Sequence, residues 1–280
     1  MAKGGYQRRR LQEKKEAERK ARKRARRQKQ FIQWTVGVVV LGLLVGITLV
    51  ATLGGKKKPV ANPSTSPSAS ITPSPSPTPY YLIRGCTKPS TAKPNGKDFT
   101  KAPPMTIDKS KTYFVTMKTT CGTMVWKLDA KLAPATVNNI VFLANQHYFD
   151  NTVFPRVQVG PGFGIIQGGT QNGTISGGVK YTYPGETPAP TTKYTRGTLA
   201  MANSQGPSTN GSQFFIVTVN SPNLQPNYTV FGHLFGPASL TTIDRIAKAQ
   251  GADIPDGQGG TLGVTPNPAI KIISATVTVQ

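Results

Sequence analysis

Residues 31–53 run for 23 positions without a charged side chain, and no other feature constrains the folding of the chain as strongly. Besides the indole of Trp34, only Gln33, Thr35, Thr48 and Thr52 carry side-chain hydrogen-bonding groups there. About 20 residues of helix, at 1.5 Å each, cross the roughly 30 Å hydrocarbon core of a bilayer. A buried core helix is normally shorter and keeps a polar face. The run therefore predicts one membrane-spanning helix. Trp34 suits the interfacial belt, and the dense Lys/Arg of residues 1–30 places that side in the cytoplasm and the C-terminal part outside. The stretch is too long for a typical cleaved signal, so an uncleaved signal anchor is expected.

The formal charge of +23 has to be located before it is interpreted. Residues 1–30 hold 14 Lys/Arg against 3 Glu, and Lys56, Lys57 and Lys58 follow the span. More than half of the charge thus belongs to an arm and its border. Such an arm can neutralise phosphates, which leaves nucleic-acid binding by residues 1–30 as a rival reading. The adjacent span explains it better, as an orientation signal that also touches anionic lipid headgroups; no nucleic-acid partner is expected. Residues 59–79 are mostly Pro, Ser and Thr. They cannot bury enough apolar area to offset ordering entropy, so a disordered, semi-rigid spacer is expected. The predicted organisation is an arm (1–30), a span (31–53), a linker and leader (54–104) and a folded domain (105–280).

The chain has two cysteines, Cys86 and Cys121, both on the proposed outer side. Two cysteines in an oxidising compartment are often paired, so a Cys86–Cys121 disulfide is expected, with two free thiols as the alternative. Beyond Thr106 the pattern is that of a compact domain. Residues 113–119 alternate as a strand, Gly122 turns, and residues 123–128 read as the hairpin partner. Pro134 opens a helix, where its missing N–H costs least, and Val137, Ile140, Val141 and Ala144 follow at helical spacing. Short strands are expected at 197–201, 213–219 and 229–234, and a second helix at 240–249. Residues 270–279 form a closing strand whose apolar face is Ile273, Ala275, Val277 and Val279. Many strands with two helices imply a mainly β, closed antiparallel barrel with capping helices.

Three segments stand apart: FDNTVFPRVQVGPGFGIIQGG from Phe149, GTLAMANSQGPSTNGSQFFIVT from Gly197, and NLQPNYTVFGHL from Asn223. In these the chain resembles the cyclophilin family, from about Tyr113 to the C-terminus. The resemblance implies a closed eight-stranded barrel capped by two helices. It also implies cis–trans isomerisation of the bond before proline, without cofactor or metal. Arg156 matches the family's catalytic arginine, Gln167 the glutamine that positions it or the substrate carbonyl, and Asn203 the residue whose backbone pairs with bound peptide. Ala202 and Ser204 flank Asn203. Gln213 matches a polar residue lining the groove, Phe215 the floor of the proline pocket, Leu224 another wall, and Tyr228 the position of a frequent histidine.

The chain departs from the family pattern in several places. More residues than usual separate Arg156 from Gln167, so Phe163 and Ile165 compete for one pocket position. The stretch Asn203-Ser204-Gln205-Gly206 is one residue longer. Pro155 replaces a common histidine, and Asn223 stands where many members are aromatic, so weak binding of cyclosporin-type cyclic peptides is expected. None of these removes the arginine or the pocket. His147 and His233 are too few and too scattered to make a metal site. The expected partners are Pro-containing polypeptides, with flexible secreted or cell-surface chains as substrates. The rival readings are a binding module using the same groove without turnover and a structural surface protein built around the stalk.

Overall fold

The computed structural model describes residues 82–204 and 206–280. The arm, the span and most of the linker expected from the sequence lie outside the described residues. Among the described residues no helix is long and apolar enough to cross a membrane.

Alternation of apolar and polar side chains forms the first hairpin. β1 (Tyr113–Thr119) and β2 (Gly122–Leu128) pair antiparallel, and Val115, Met117, Met124 and Trp126 point inward with no exposed area. α1 (Pro134–Asn145) carries Pro at its start and buries Val137, Ile140, Val141 and Ala144. Then come β3 (Arg156–Gly160), β4 (Phe163–Gly168), β5 (Thr198–Met201), a 3-10 turn (Pro207–Thr209), β6 (Phe214–Val217) and β7 (Val230–Phe235). The chain ends with α2 (Pro237–Ile246), β8 (Gly251–Pro255), β9 (Thr261–Pro266) and β10 (Ile272–Val279). The core is aromatic at its centre, where Trp126 meets Phe214 edge-on at 4.7 Å and Phe149 packs on the same ring at 5.7 Å.

The architecture is mainly β with two helices, but the sheet is neither eight-stranded nor closed. Ten strands follow the order β10-β1-β2-β7-β5-β6-β4-β3-β9-β8. The β8–β9 hairpin, rich in Gly, Pro and Asp and not legible as strands, takes the free edge of β3 through the pair Val157↔Val264. The β3 side meets the β10 side through the isolated bridge Val153↔Lys271, with Phe154 N–H on Ile270 O at 3.0 Å and Ile272 N–H on Thr152 O at 2.8 Å.

The second helix and the last strand also differ from expectation. The second helix begins at Pro237 rather than at residue 240, again with proline in the first turn. The apolar face expected for the last strand is broken. The register against β1 slips between Ser274 and Ile272, so Ile272 is buried and Ile273 is 49% exposed. One extra residue in a strand reverses every face beyond it.

Residues 82–112 have no regular secondary structure. They are fastened to the sheet domain by a Cys86–Cys121 disulfide, by Thr87 N–H on Thr120 O at 2.7 Å, and by the Lys271 ammonium on Ser90 O at 3.0 Å.

Candidate active site

The site grows out of strand register. β3 and β4 form a hairpin in which Arg156 lies opposite Gln167, β4 pairs with β6 so that Gln167 lies opposite Phe215, and β6 pairs with β5 so that Phe215 lies opposite Ala200. Directly opposed residues share a face. The pairing therefore lays Arg156, Gln167, Phe215 and Ala200 in one row across four strands, on the face turned away from the main core. On that face a second apolar cluster forms from Ile165, Tyr194, Ala200, Phe215, Val217 and Val230, with Phe163, Ala202, Leu224 and Tyr228 packed against it.

A cavity of about 160 Å³ opens in this cluster, lined by Arg156, Phe163, Ile165, Gln167, Ala202, Asn203, Phe215, Leu224 and Tyr228. Phe163 and Ile165 do not exclude one another. They are two apart on β4, so both side chains face the cavity. Phe215 forms its floor, with the Tyr228 ring edge-on at 5.2 Å. Ser204 and Gln213 fall instead in an adjoining cavity of about 290 Å³, which shares Gln167, Ala202 and Asn203 with the first.

The Arg156 guanidinium is fixed by three neutral acceptors. Its Nε–H donates to Leu262 O at 2.6 Å, its Nη1 to Gln167 Oε1 at 3.2 Å, and its Nη2 to Gln158 Oε1. Gln167 in turn donates from Nε2 to Gln213 Oε1 at 2.8 Å, and Gln213 donates to Gly177 O at 2.9 Å. Three of the five guanidinium N–H groups are thus engaged, and among the described residues the other two have no acceptor. No acceptor is ionised, so the positive charge is not neutralised locally. Burial pushes the Arg156 guanidinium below its ordinary value, an effect partly opposed by Tyr228. The group still stays charged at neutral pH, because an arginine cannot be deprotonated in a protein.

Asn203 spends its side chain on scaffolding, donating to Asn227 O at 3.0 Å and accepting from Gly206 N–H at 2.9 Å. Among the described residues its main-chain N–H and C=O carry no internal hydrogen bond. That leaves an extended peptide a place to pair. An apolar cup for a ring, a fixed cation at its rim and a free backbone edge suit a short peptide with a cyclic, uncharged side chain.

The model of the family described as cyclophilin type peptidyl-prolyl cis-trans isomerase/CLD matches residues 114–277. The chain belongs to this family. Its cyclophilin domain is 36% identical over 139 residues to a peptidyl-prolyl cis-trans isomerase of Helicobacter pylori, covering 50% of this chain and 83% of that relative. It is 40% identical over 146 residues to the "Probable peptidyl-prolyl cis-trans isomerase B" of Mycobacterium tuberculosis. There the match covers 48% of this chain and 46% of the relative, so this chain spans about half the length of that protein. Among solved structures, a cyclophilin-type isomerase of Cryptosporidium parvum superposes with a TM-score of 0.50 at 30% identity, covering 60% of this chain and 98% of its own.

Several contributors to this cyclophilin site were not legible in advance. Gln158 follows Arg156 by two positions on β3, and strand alternation alone could have flagged it. Leu262 and Gly177 act through backbone carbonyls, which no residue type announces. Tyr194 donates from its hydroxyl to Tyr228 O at 2.8 Å and accepts from Tyr228 N–H at 3.0 Å, fixing the loop that carries Tyr228 to the cavity.

Proposed function

We propose that this chain accelerates cis–trans isomerisation of the peptide bond before proline. The observation that carries the reading is a charged Arg156, held by three hydrogen bonds, in the wall of a cavity that also presents the Phe215 ring. The uncatalysed barrier is about 20 kcal/mol, because rotation must break amide conjugation. As conjugation is lost, the prolyl nitrogen becomes pyramidal and gains a lone pair that can accept a hydrogen bond. Arg156 supplies the donor, Gln167 keeps its plane fixed, and the Phe215 cup holds the ring while the carbonyl turns. A hydrogen bond from a charged donor contributes about 1.5–3 kcal/mol, and each 1.36 kcal/mol is tenfold in rate. No bond is made or broken.

The reading extends to the rest of the molecule. Residues 31–53 anchor the chain in a membrane, the basic arm contacts anionic headgroups on the cytoplasmic side, and the domain faces outward. Its substrates are secreted or cell-surface chains whose folding waits on X-Pro exchange, which takes tens to hundreds of seconds unaided. The uncharged run and the charge asymmetry support this part. Protease accessibility in intact cells tests it, and a domain shielded from added protease contradicts an outward-facing domain.

Exchange spectroscopy on an Ala-Pro peptide with the full chain, wild type beside Arg156→Ala, tests the activity. We expect acceleration that falls about 100-fold in the variant. A folded wild type that binds the peptide without accelerating exchange would identify a binding module instead.

A further inference from the structure

The family match begins at residue 114, yet the chain before it is tied to the groove. Asn95 and Phe99, which precede the match, hold two ends of one loop. Gln171 Nε2 donates to Asn95 Oδ1 at 2.9 Å, and Lys180 N–H donates to Phe99 O at 2.8 Å. The Lys180 ammonium also pairs with the Asp98 carboxylate. Asn95 is itself fixed, donating from Nδ2 to His147 O at 2.9 Å and Gln146 O at 3.2 Å. Phe99 is seated by ring contacts with Phe142 at 5.1 Å and Tyr148 at 6.1 Å.

The loop held in this way, residues 171–182, supplies Ile175, Gly177, Val179, Tyr181 and Thr182 to the wall of the 290 Å³ cavity. Its Gly177 carbonyl accepts the Gln213 amide that in turn holds Gln167 and, through it, Arg156. A segment of some thirty residues without regular structure is uncommon in a compact domain, and is as a rule either functional or a linker; here it is fixed along its length. This one passes from the disulfide at Cys86 to Asn138 on α1, which accepts Thr106 N–H at 2.9 Å.

We infer that residues 86–106 are a positioning strap for the substrate groove, and that Asn95 and Phe99 set which side chains flanking the substrate proline are accepted. They do so by fixing the 171–182 wall. The inference rests on the isomerase reading for its substrate class. Nothing in the strap lines the proline cavity, so its influence runs through the adjoining one. A displacement of about 1 Å in a supporting group is enough to change turnover markedly.

The test uses the full chain and its variants Phe99→Ala, Asn95→Ala, Gln171→Ala and Phe99→Tyr. Amide-shift titrations give Kd for a blocked Ala-Pro dipeptide and for longer peptides carrying Ala or Phe two residues to either side of proline. Exchange spectroscopy on the same samples gives kcat and KM. The expected result is a dipeptide Kd within twofold of wild type in every variant. The Phe-to-Ala peptide preference should shift at least fivefold in the three alanine variants, and Phe99→Tyr should restore it. Asn95→Ala removes the outer tether together with the bonds to His147 O and Gln146 O, and Gln171→Ala removes it together with the bond to Tyr148 O at 3.2 Å. Both leave the Phe99 contacts in place, so they carry the test should Phe99→Ala not fold. Preferences unchanged within twofold, with only a lowered melting temperature, would overturn the inference and leave the strap a stabilising element. A wild type that shows no exchange enhancement would remove the isomerase reading, while the Kd preferences would still decide the strap.

Discussion

At the scale of single residues, Arg156 is held by its shape as much as its charge. Three acceptors at Leu262, Gln158 and Gln167 take three directions of one planar fork. A lysine offers a single point of charge on a flexible stem, so Arg156→Lys should lose nearly as much kcat/KM as Arg156→Ala, within about tenfold. Burial lowers the Arg156 value from its ordinary one. A cation stays charged at every pH below its folded-state value, and an arginine value stays far above neutrality even when lowered. The rate profile between pH 6 and 9 should therefore be flat, and a titrating step there would point to another group. Tyr194 makes a second residue-scale test. Burial raises its phenol, so it remains protonated and donates to Tyr228 O. Tyr194→Phe should raise KM several-fold with kcat nearly unchanged, and should lower stability by about 1 kcal/mol for the lost hydrogen bond. Calorimetry and exchange kinetics on one preparation check both.

At the scale of elements, the β8–β9 hairpin matters more to the site than its composition suggests. Leu262 on β9 accepts the Arg156 Nε–H, and Gly263 beside it has φ +118°. A Cβ on Gly263 would stand 2.5 Å from Val157 O on β3, so only glycine lets the two backbones approach. The hairpin turn is closed by the Asp256 carboxylate, which accepts Gln258 N–H at 2.7 Å and Gly260 N–H at 2.9 Å. Those two bonds hold Asp256 below the usual carboxylate value. A depressed carboxylate contributes order above its unfolded value, near 3.9, and loses it as pH falls through the lower folded value. Amide protection in residues 251–266, taken relative to intrinsic exchange at each pH, should therefore hold from neutrality to about pH 4 and fall below it. At pH 7, Asp256→Ala should lower kcat/KM by two- to fivefold through Leu262, and Asp256→Asn, which keeps an acceptor oxygen, should recover most of it.

At the scale of the whole molecule, the described chain is a mainly β cyclophilin domain with residues 82–112, which lack regular secondary structure, bound to its side. The disulfide closes a loop with a sequence separation of 35 residues. Chain-entropy reasoning values such a link at roughly 3–4 kcal/mol. Adding reductant should lower the melting temperature, and Cys86→Ser should match it without further loss on reduction. A melting temperature indifferent to reductant would show that the leader is held by its other contacts alone.

Part of this could be read directly from residue order. Alternation in residues 113–128 forms a hairpin because it is local, and proline at Pro134 marks a helix start because it constrains one backbone angle. The strings around Arg156, Ala202 and Phe215 identified the family because chemistry at a groove demands particular residue types at particular places. Other features depended on partners distant in the chain. The slip that exposes Ile273 is decided by β1, the open ten-stranded order by a Gly- and Pro-rich hairpin reaching the edge of β3, and the Arg156 clamp by a carbonyl at Leu262. A side chain's chemistry is written in the sequence. The contacts of a backbone carbonyl, a strand edge or a segment without regular secondary structure are settled only when long-range packing brings two segments together.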